Sequence, residues 1–207
     1  MIYPYHGKEP NIHPSVFIAD YVTISGDVTI GEDTNIWFGT VIRGDVAPTI
    51  IGKRCSIQDL SCLHQSPGNP LIIEDEVIVG HKVMLHSAII RKRALIGMGA
   101  IVLDRSEIGE GAIVAAGTVV PPGKKIPPHT VVMGNPAKVV REVTDEERKD
   151  MDRIVRQYVE RGKYYQSLKN RVEGGGQPPS SHTPPDMRVR TRRFRRVNEM
   201  PSNIQAC

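Results

Sequence analysis

IRKRALIGMGAIVLDRSEIGEGAIVAAGTVVPPGKKIPPHTVV, residues 90–132, places an aliphatic residue at every sixth position: Ile90, Ile96, Val102, Ile108, Val114, Val120, Ile126 and Val132. A period of six matches neither the 3.6 of a helix nor the bare 2.0 of a strand. It equals three strand alternations, so the aliphatic side chain returns to the same side each time. The next residue is repeatedly small, as at Gly97, Gly109 and Ala115, and small or Thr residues recur further along, as at Ala100, Ala112 and Thr118. Turn-forming pairs such as Glu110-Gly111 interrupt each strand after a few residues.

Toward the N-terminus the same row continues. Ile18, Ile24, Ile30, Ile36 and Ile42 keep the period, and after a short insertion it resumes at Ile51, Ile57 and Leu63. Ile73, Val79 and Leu85 follow, then a slip of one residue leads to Ile90. All nineteen of these positions hold Ile, Val or Leu. This is the hexapeptide signature of an all-β, parallel β-helix, in which three hexapeptides make a triangular coil of about eighteen residues. Residues 12–137 would form about seven such coils, each burying its neighbours' aliphatic rows. Aromatics are only 5% of the chain, which suits a core of stacked Val, Ile, Leu and Ala. The flat outer faces are then available for docking onto copies of the same chain.

Past Val143 the pattern changes. Thr144-Asp145-Glu146-Glu147 is a capping box. Met151, Ile154, Val155, Tyr158, Tyr165 and Leu168 then recur three or four apart, as on an amphipathic helix. Gly162 costs that helix about 1 kcal/mol relative to Ala. From Arg171 the chain is Gly-, Pro- and Arg-rich without periodicity and reads as a disordered tail. The expected organisation is a β-helix over 1–143, a helix over 144–170 and a tail over 171–207.

Net charge is +4, and the tail accounts for all of it, with seven Arg against three acids. Residues 1–170 therefore sum to zero, which argues against nucleic acid as a partner of the folded part. Cys55, Cys62 and Cys207 are too few for a disulfide framework. The first ten residues carry no secretion signal, and no window holds eighteen consecutive apolar residues, so a cytoplasmic protein without a membrane span is expected.

Three histidines fall at telling places in the repeat. His64 follows Leu63, His86 follows Leu85 in the same slot one coil on, and His81 lies seventeen residues after His64. A single His on a strand is most often solvent-facing or structurally hydrogen-bonded. Three at coincident slots on adjacent coils can instead converge on one ion, and zinc takes three His plus an open water position in catalytic sites. From the residues alone both readings stay open.

Arg43-Gly44-Asp45, Gln58-Asp59, His64, Gly80-His81, His86 and the closing Gly134-Asn135-Pro136-Ala137 together resemble the γ-class carbonic anhydrase family over residues 1 to about 170. The resemblance implies a left-handed coil, against the usual crossover hand, and a homotrimer with metal shared between subunits. His64 and His86 would come from one subunit and His81 from its neighbour. Gln58 matches the glutamine that orients the attacking water. Arg43, Asp45 and Asp59 match a charged cluster that ties subunits together; read without the family, they are surface charges worth under about 1 kcal/mol. The implied reaction is zinc-dependent reversible hydration of CO₂ to bicarbonate, and Fe²⁺ or Co²⁺ would suit the same ligands.

Three features depart from the family. Val46 follows Asp45 where a proton-shuttling glutamate is expected, and the loop Gln65-Ser66-Pro67-Gly68-Asn69-Pro70 carries no acid. Ser56 also stands where Asn is common. A slow, buffer-dependent enzyme is implied. The alternatives are a metal-dependent acyl-CoA thioesterase or acyltransferase, and a non-catalytic metal-binding trimer.

Overall fold

A computed structural model describes residues 1–173, with side chains through Lys169; the tail expected over 171–207 lies, past Glu173, outside the described residues. Short strands wind into a triangular prism whose three faces are parallel ladders. On the first face Ile24, Ile42, Leu63, Leu85, Val102 and Val120 stand in register. Ile30, Ile51, Ile73, Ile90, Ile108 and Ile126 stack on the second. Ile18, Ile36, Ile57, Val79, Ile96, Val114 and Val132 form the third. The six-residue period is thus three interior rows. All are buried except Ile18, which ends its row and is only partly covered.

The corners explain the small residues four places after each aliphatic one. Thr34, Cys55, Val77, Ala94 and Ala112 point inward at one corner, and Thr40, Ser61, Val83, Ala100 and Thr118 at another; all are buried. Three hydroxyls there bond the next coil: Thr34 donates to the carbonyl of Gly52 at 2.8 Å, Thr40 to that of Gln58 at 3.1 Å and Ser61 to that of Gly80 at 3.1 Å. Each meets the need of a buried polar group for a partner. Burial pushes the Cys55 thiol up to about 12.

Two strands, Thr23–Ile30 and Val41–Ile51, run continuously around the corner between the first and second faces. Gly26 and Gly44 lie against each other at that bend. A Cβ on Gly26, whose φ is +80°, would stand 2.4 Å from the Gly44 carbonyl oxygen. The insertion seen after Ile42 is therefore a bulge at the bend: pairing stops at Gly44 and resumes at Thr49, and Asp45 to Pro48 lie outside the register. The prism closes at its C-terminal end with Lys138–Glu142 pairing antiparallel to Thr130–Met133.

Helix α1 (Asp145–Glu173) follows. The capping box forms: Glu147 N–H donates to Thr144 Oγ1 at 3.2 Å, and Thr144 N–H donates back to the Glu147 carboxylate at 3.0 Å. Arg141 clamps that carboxylate with two bonds of 2.8 Å and, with the cap, holds it down at about 2. The helix covers the third face, where Met151 and Ile154 bury Ile78, Leu95, Ile113 and Val131. The scarce aromatics gather near its other end, with Trp37 5.5 Å from both Tyr158 and Tyr165. Gly162 permits this docking, because a Cβ there would sit 3.2 Å from Phe17 Cβ and 3.3 Å from Asn35 Cβ. Among the described residues no helix is long and apolar enough to cross a membrane.

Candidate functional site

His64 and His86 end two strands that pair in register, Cys62–His64 and Met84–His86. Alternation points Leu63 and Leu85 inward and both imidazoles outward, at the far edge of the first face. The ring centroids are 5.2 Å apart, and His64 Nδ1 lies 3.2 Å from His86 Nε2. The remaining nitrogen of each ring meets a carboxylate: His64 Nε2 is 3.0 Å from Asp45, and His86 Nδ1 is 2.6 Å from Asp104. Arg43 holds the other oxygen of Asp45 at 2.7 Å.

Proton accounting makes this row informative. A carboxylate only accepts, so Asp45 requires hydrogen on His64 Nε2 and Asp104 requires it on His86 Nδ1. Two neutral rings then present lone pairs to each other across 3.2 Å. Such a pair is satisfied only by one more positive charge between the rings, a proton or a metal ion. The donor chemistry fits a divalent cation, with neutral imidazole nitrogens toward the ion and each second nitrogen hydrogen-bonded behind, as metal-ligating histidines require.

His81 is elsewhere. It occupies the Gly80-His81-Lys82 turn that leads into the strand whose far end carries His86, so the width of the first face separates them. Its Nδ1 meets Asp59 at 2.8 Å. Gln58 is buried on the same edge, its backbone N–H bonded to the carbonyl of Val79. The spacing of seventeen residues suggested one wall for all three histidines; the structure places only His64 and His86 together. A seventeen-residue step falls short of the matching slot and lands on the turn before it. The predicted residues form two groups: Arg43, Asp45, His64 and His86 on one edge, Gln58, Asp59 and His81 on the other. Among the described residues of one chain, no three His, Cys, Asp or Glu side chains are grouped to hold an ion.

Asp104 was missed by sequence reasoning, although it stands eighteen residues, one coil, after His86. Burial pushes its carboxyl up, but the hydrogen bonds it accepts from His86, Ser87 and Ser66 outweigh this and leave it below the ordinary carboxylate value. Ser66 Oγ donates to both Asp104 oxygens at 3.3 Å. The short loop carrying Ser66 is fastened in turn, since Ser66 N–H donates to Ser87 Oγ at 2.7 Å and Ser87 Oγ donates to the Asn69 carbonyl at 2.9 Å.

The chain matches the family of bacterial transferase hexapeptide repeats over residues 9–44 and 87–122. A carbonic anhydrase of Geobacillus kaustophilus is 68% identical over 169 residues, which cover 82% of this chain and 93% of that protein. A Bacillus subtilis protein named uncharacterized transferase YtoA is 63% identical over 82% of this chain and 99% of its own length. A Bacillus cereus crystal structure, provisionally named an acetyltransferase, is 65% identical with a TM-score of 0.80, over 81% of this chain and 97% of that one. With its three hexapeptide rows and two histidine-bearing edges, this left-handed parallel β-helix belongs to the γ-carbonic anhydrase-like hexapeptide-repeat family.

Proposed function

We propose that the chain is a zinc-dependent carbonic anhydrase whose sites are each completed by two subunits of a homotrimer. The observation that carries this is the division of the donor set between opposite edges of one face. If each prism turns its first face toward a common three-fold axis, the edge bearing His81 meets the neighbour's edge bearing His64 and His86. Such a head-to-tail interface closes into a ring. The outward row of that face supports it: Val41, Cys62, Met84, Ile101 and Val119 form an apolar strip, with Met84 44% exposed.

His64, His86 and the neighbouring subunit's copy of His81 would hold the ion, with Asp45, Asp104 and Asp59 behind them. A bound divalent ion would lower the pKa of water toward about 7, supplying a nucleophile for CO₂ at neutral pH. Gln58 would orient that water, and Arg43 would hold Asp45 in place at the junction. Proton export is the weak step. Val46 is an exposed apolar residue where an acid would serve, and the loop from Gln65 to Pro70 offers none. The protons then leave to buffer. Three imidazoles with an open fourth position suit zinc, and Fe²⁺ or Co²⁺ is accommodated by the same set. With sparse cysteines and no apolar span, we place the protein in the cytoplasm.

The test is stopped-flow CO₂ hydration by the zinc-loaded protein in dilute and concentrated imidazole, with His81→Ala as control. Activity that rises with buffer and disappears in the variant is expected. A zinc-loaded protein with no hydration above background would reject the assignment. The transferase names of close relatives favour a second reading, acyl transfer or thioester hydrolysis, and turnover of acyl-CoA by the same preparation would establish it.

A further inference from the structure

We infer that Asp104 is a positioning residue for His86, and that the short loop at Ser66 serves to hold Asp104 in place. This rests on the metal-site reading above but not on CO₂ hydration. Asp104 stands one coil beyond His86, and its 2.6 Å contact to Nδ1 is the shortest of the three carboxylate–imidazole pairs, against 2.8 Å at His81 and 3.0 Å at His64. A carboxylate there accepts the Nδ1 hydrogen, so the lone pair stays on Nε2, the nitrogen that faces His64.

A second set of bonds keeps the carboxylate still. Ser66 Oγ reaches both its oxygens, the Ser66 N–H is tied to Ser87 Oγ, and Ser87 is the residue next to His86. Gln65, between His64 and Ser66, is buried and its side-chain amide donates to Thr49. The loop that follows one histidine is therefore anchored to the strand carrying the other. His64 and His86 thus face each other at the ring nitrogens and are joined behind the rings through Ser66, Asp104 and Ser87. Short and without an acid of its own, this loop gains a role as the brace of a ligand pair.

The full-length protein with ¹⁵N-labelled histidine would show the His86 tautomer in long-range ¹H–¹⁵N spectra of the metal-free form at pH 8. Wild type should carry hydrogen on Nδ1, and Asp104→Ala should lose that preference. Zinc affinity, measured by competition with a chromophoric chelator, should fall about 10–100-fold in Asp104→Ala. Asp104→Asn, whose Oδ1 can still accept from Nδ1, should recover most of the affinity, and Ser66→Ala should lose less than Asp104→Ala. Thermal unfolding of the metal-free variants controls for misfolding. Hydrogen on Nε2 of His86 in the wild type, or equal zinc affinity in folded Asp104→Ala, overturns the inference. A wild type that binds zinc, is weakened by Asp104→Ala and yet hydrates no CO₂ would reject the enzymatic reading while leaving this one standing. Failure of the wild type to bind zinc rejects both.

Discussion

A chain with His81→Ala and a chain with His64→Ala each lack one imidazole, but on opposite edges of the first face. Alone, neither variant can assemble a three-histidine site. Mixed in equal amounts and allowed to reassemble at random, the two can. A junction is intact when the subunit giving His64 and His86 is the His81→Ala chain and its neighbour is the His64→Ala chain. Each condition holds half the time, so about one quarter of junctions should be whole in any closed ring with equivalent interfaces. The two chains would be given different affinity tags, unfolded together, refolded, and dialysed against a chelator strong enough to strip two-histidine sites. Zinc by elemental mass spectrometry should then reach about one quarter of the wild-type content, with each variant alone near zero. Hydration activity should follow the zinc. If the mixture holds no more zinc than its components while the wild type binds one per chain, the site is not shared and the trimer built on it is wrong.

Three further outcomes follow from the packing. Glu147→Gln should cost about 1–2 kcal/mol at pH 7, less than the full lowering to about 2 implies, because Arg141 is over a third exposed and solvent screens the pair. Folding lowers this carboxyl from 4.5, so its contribution is complete above that value and fades toward about 2; urea unfolding of wild type and variant should converge across that range. Leu85→Ala, removing a fully buried side chain stacked between Leu63 and Val102, should destabilise by about 2–5 kcal/mol in the same assay. Gly162→Val should lift α1 from the third face, because the new Cβ meets Phe17 and Asn35 at atoms fixed to strands; Trp37, the single tryptophan, should report it by a shifted fluorescence maximum.

Those rows were legible because an interior position repeats with the coil, and spacing alone assigns it. Thr144 and Glu147 marked the helix start for a similar reason, since a capping box is local and needs nothing from the rest of the fold. Gly162 shows where local reasoning stops. From sequence it is a cost to the helix, and its benefit depends on Phe17 and Asn35, which only the folded chain brings near. The histidines lie between these cases. Matching slots gave the pairing of His64 with His86, but spacing measures height along the prism and says little about which edge a turn occupies, so only the family resemblance set His81 apart from them. Asp104 could have been found by stepping one coil beyond His86, as the coil length places it next to that ring. An acid in that slot has no local signature of its own, and only the length of the coil ties it to the histidine.

Carbonic anhydrase and transferase names occur among relatives of nearly equal identity, 68% and 63%, so overall similarity does not choose between them. The interior rows cannot choose either, since any hexapeptide prism needs them. What differs between chemistries is what the corners carry. A histidine acting alone as general base needs one free lone pair directed at its substrate. Here the free nitrogens of His64 and His86 face one another at 3.2 Å, with Asp45 and Asp104 occupying the opposite sides of the rings. That geometry is unfavourable for two neutral bases and favourable once a cation stands between them. The third pair, His81 with Asp59, repeats the same carboxylate-backed pattern on the edge that a neighbouring prism would bring to it. Acyl transfer by one general base would leave the paired rings and their aspartates unexplained, whereas a shared metal ion uses every one of them.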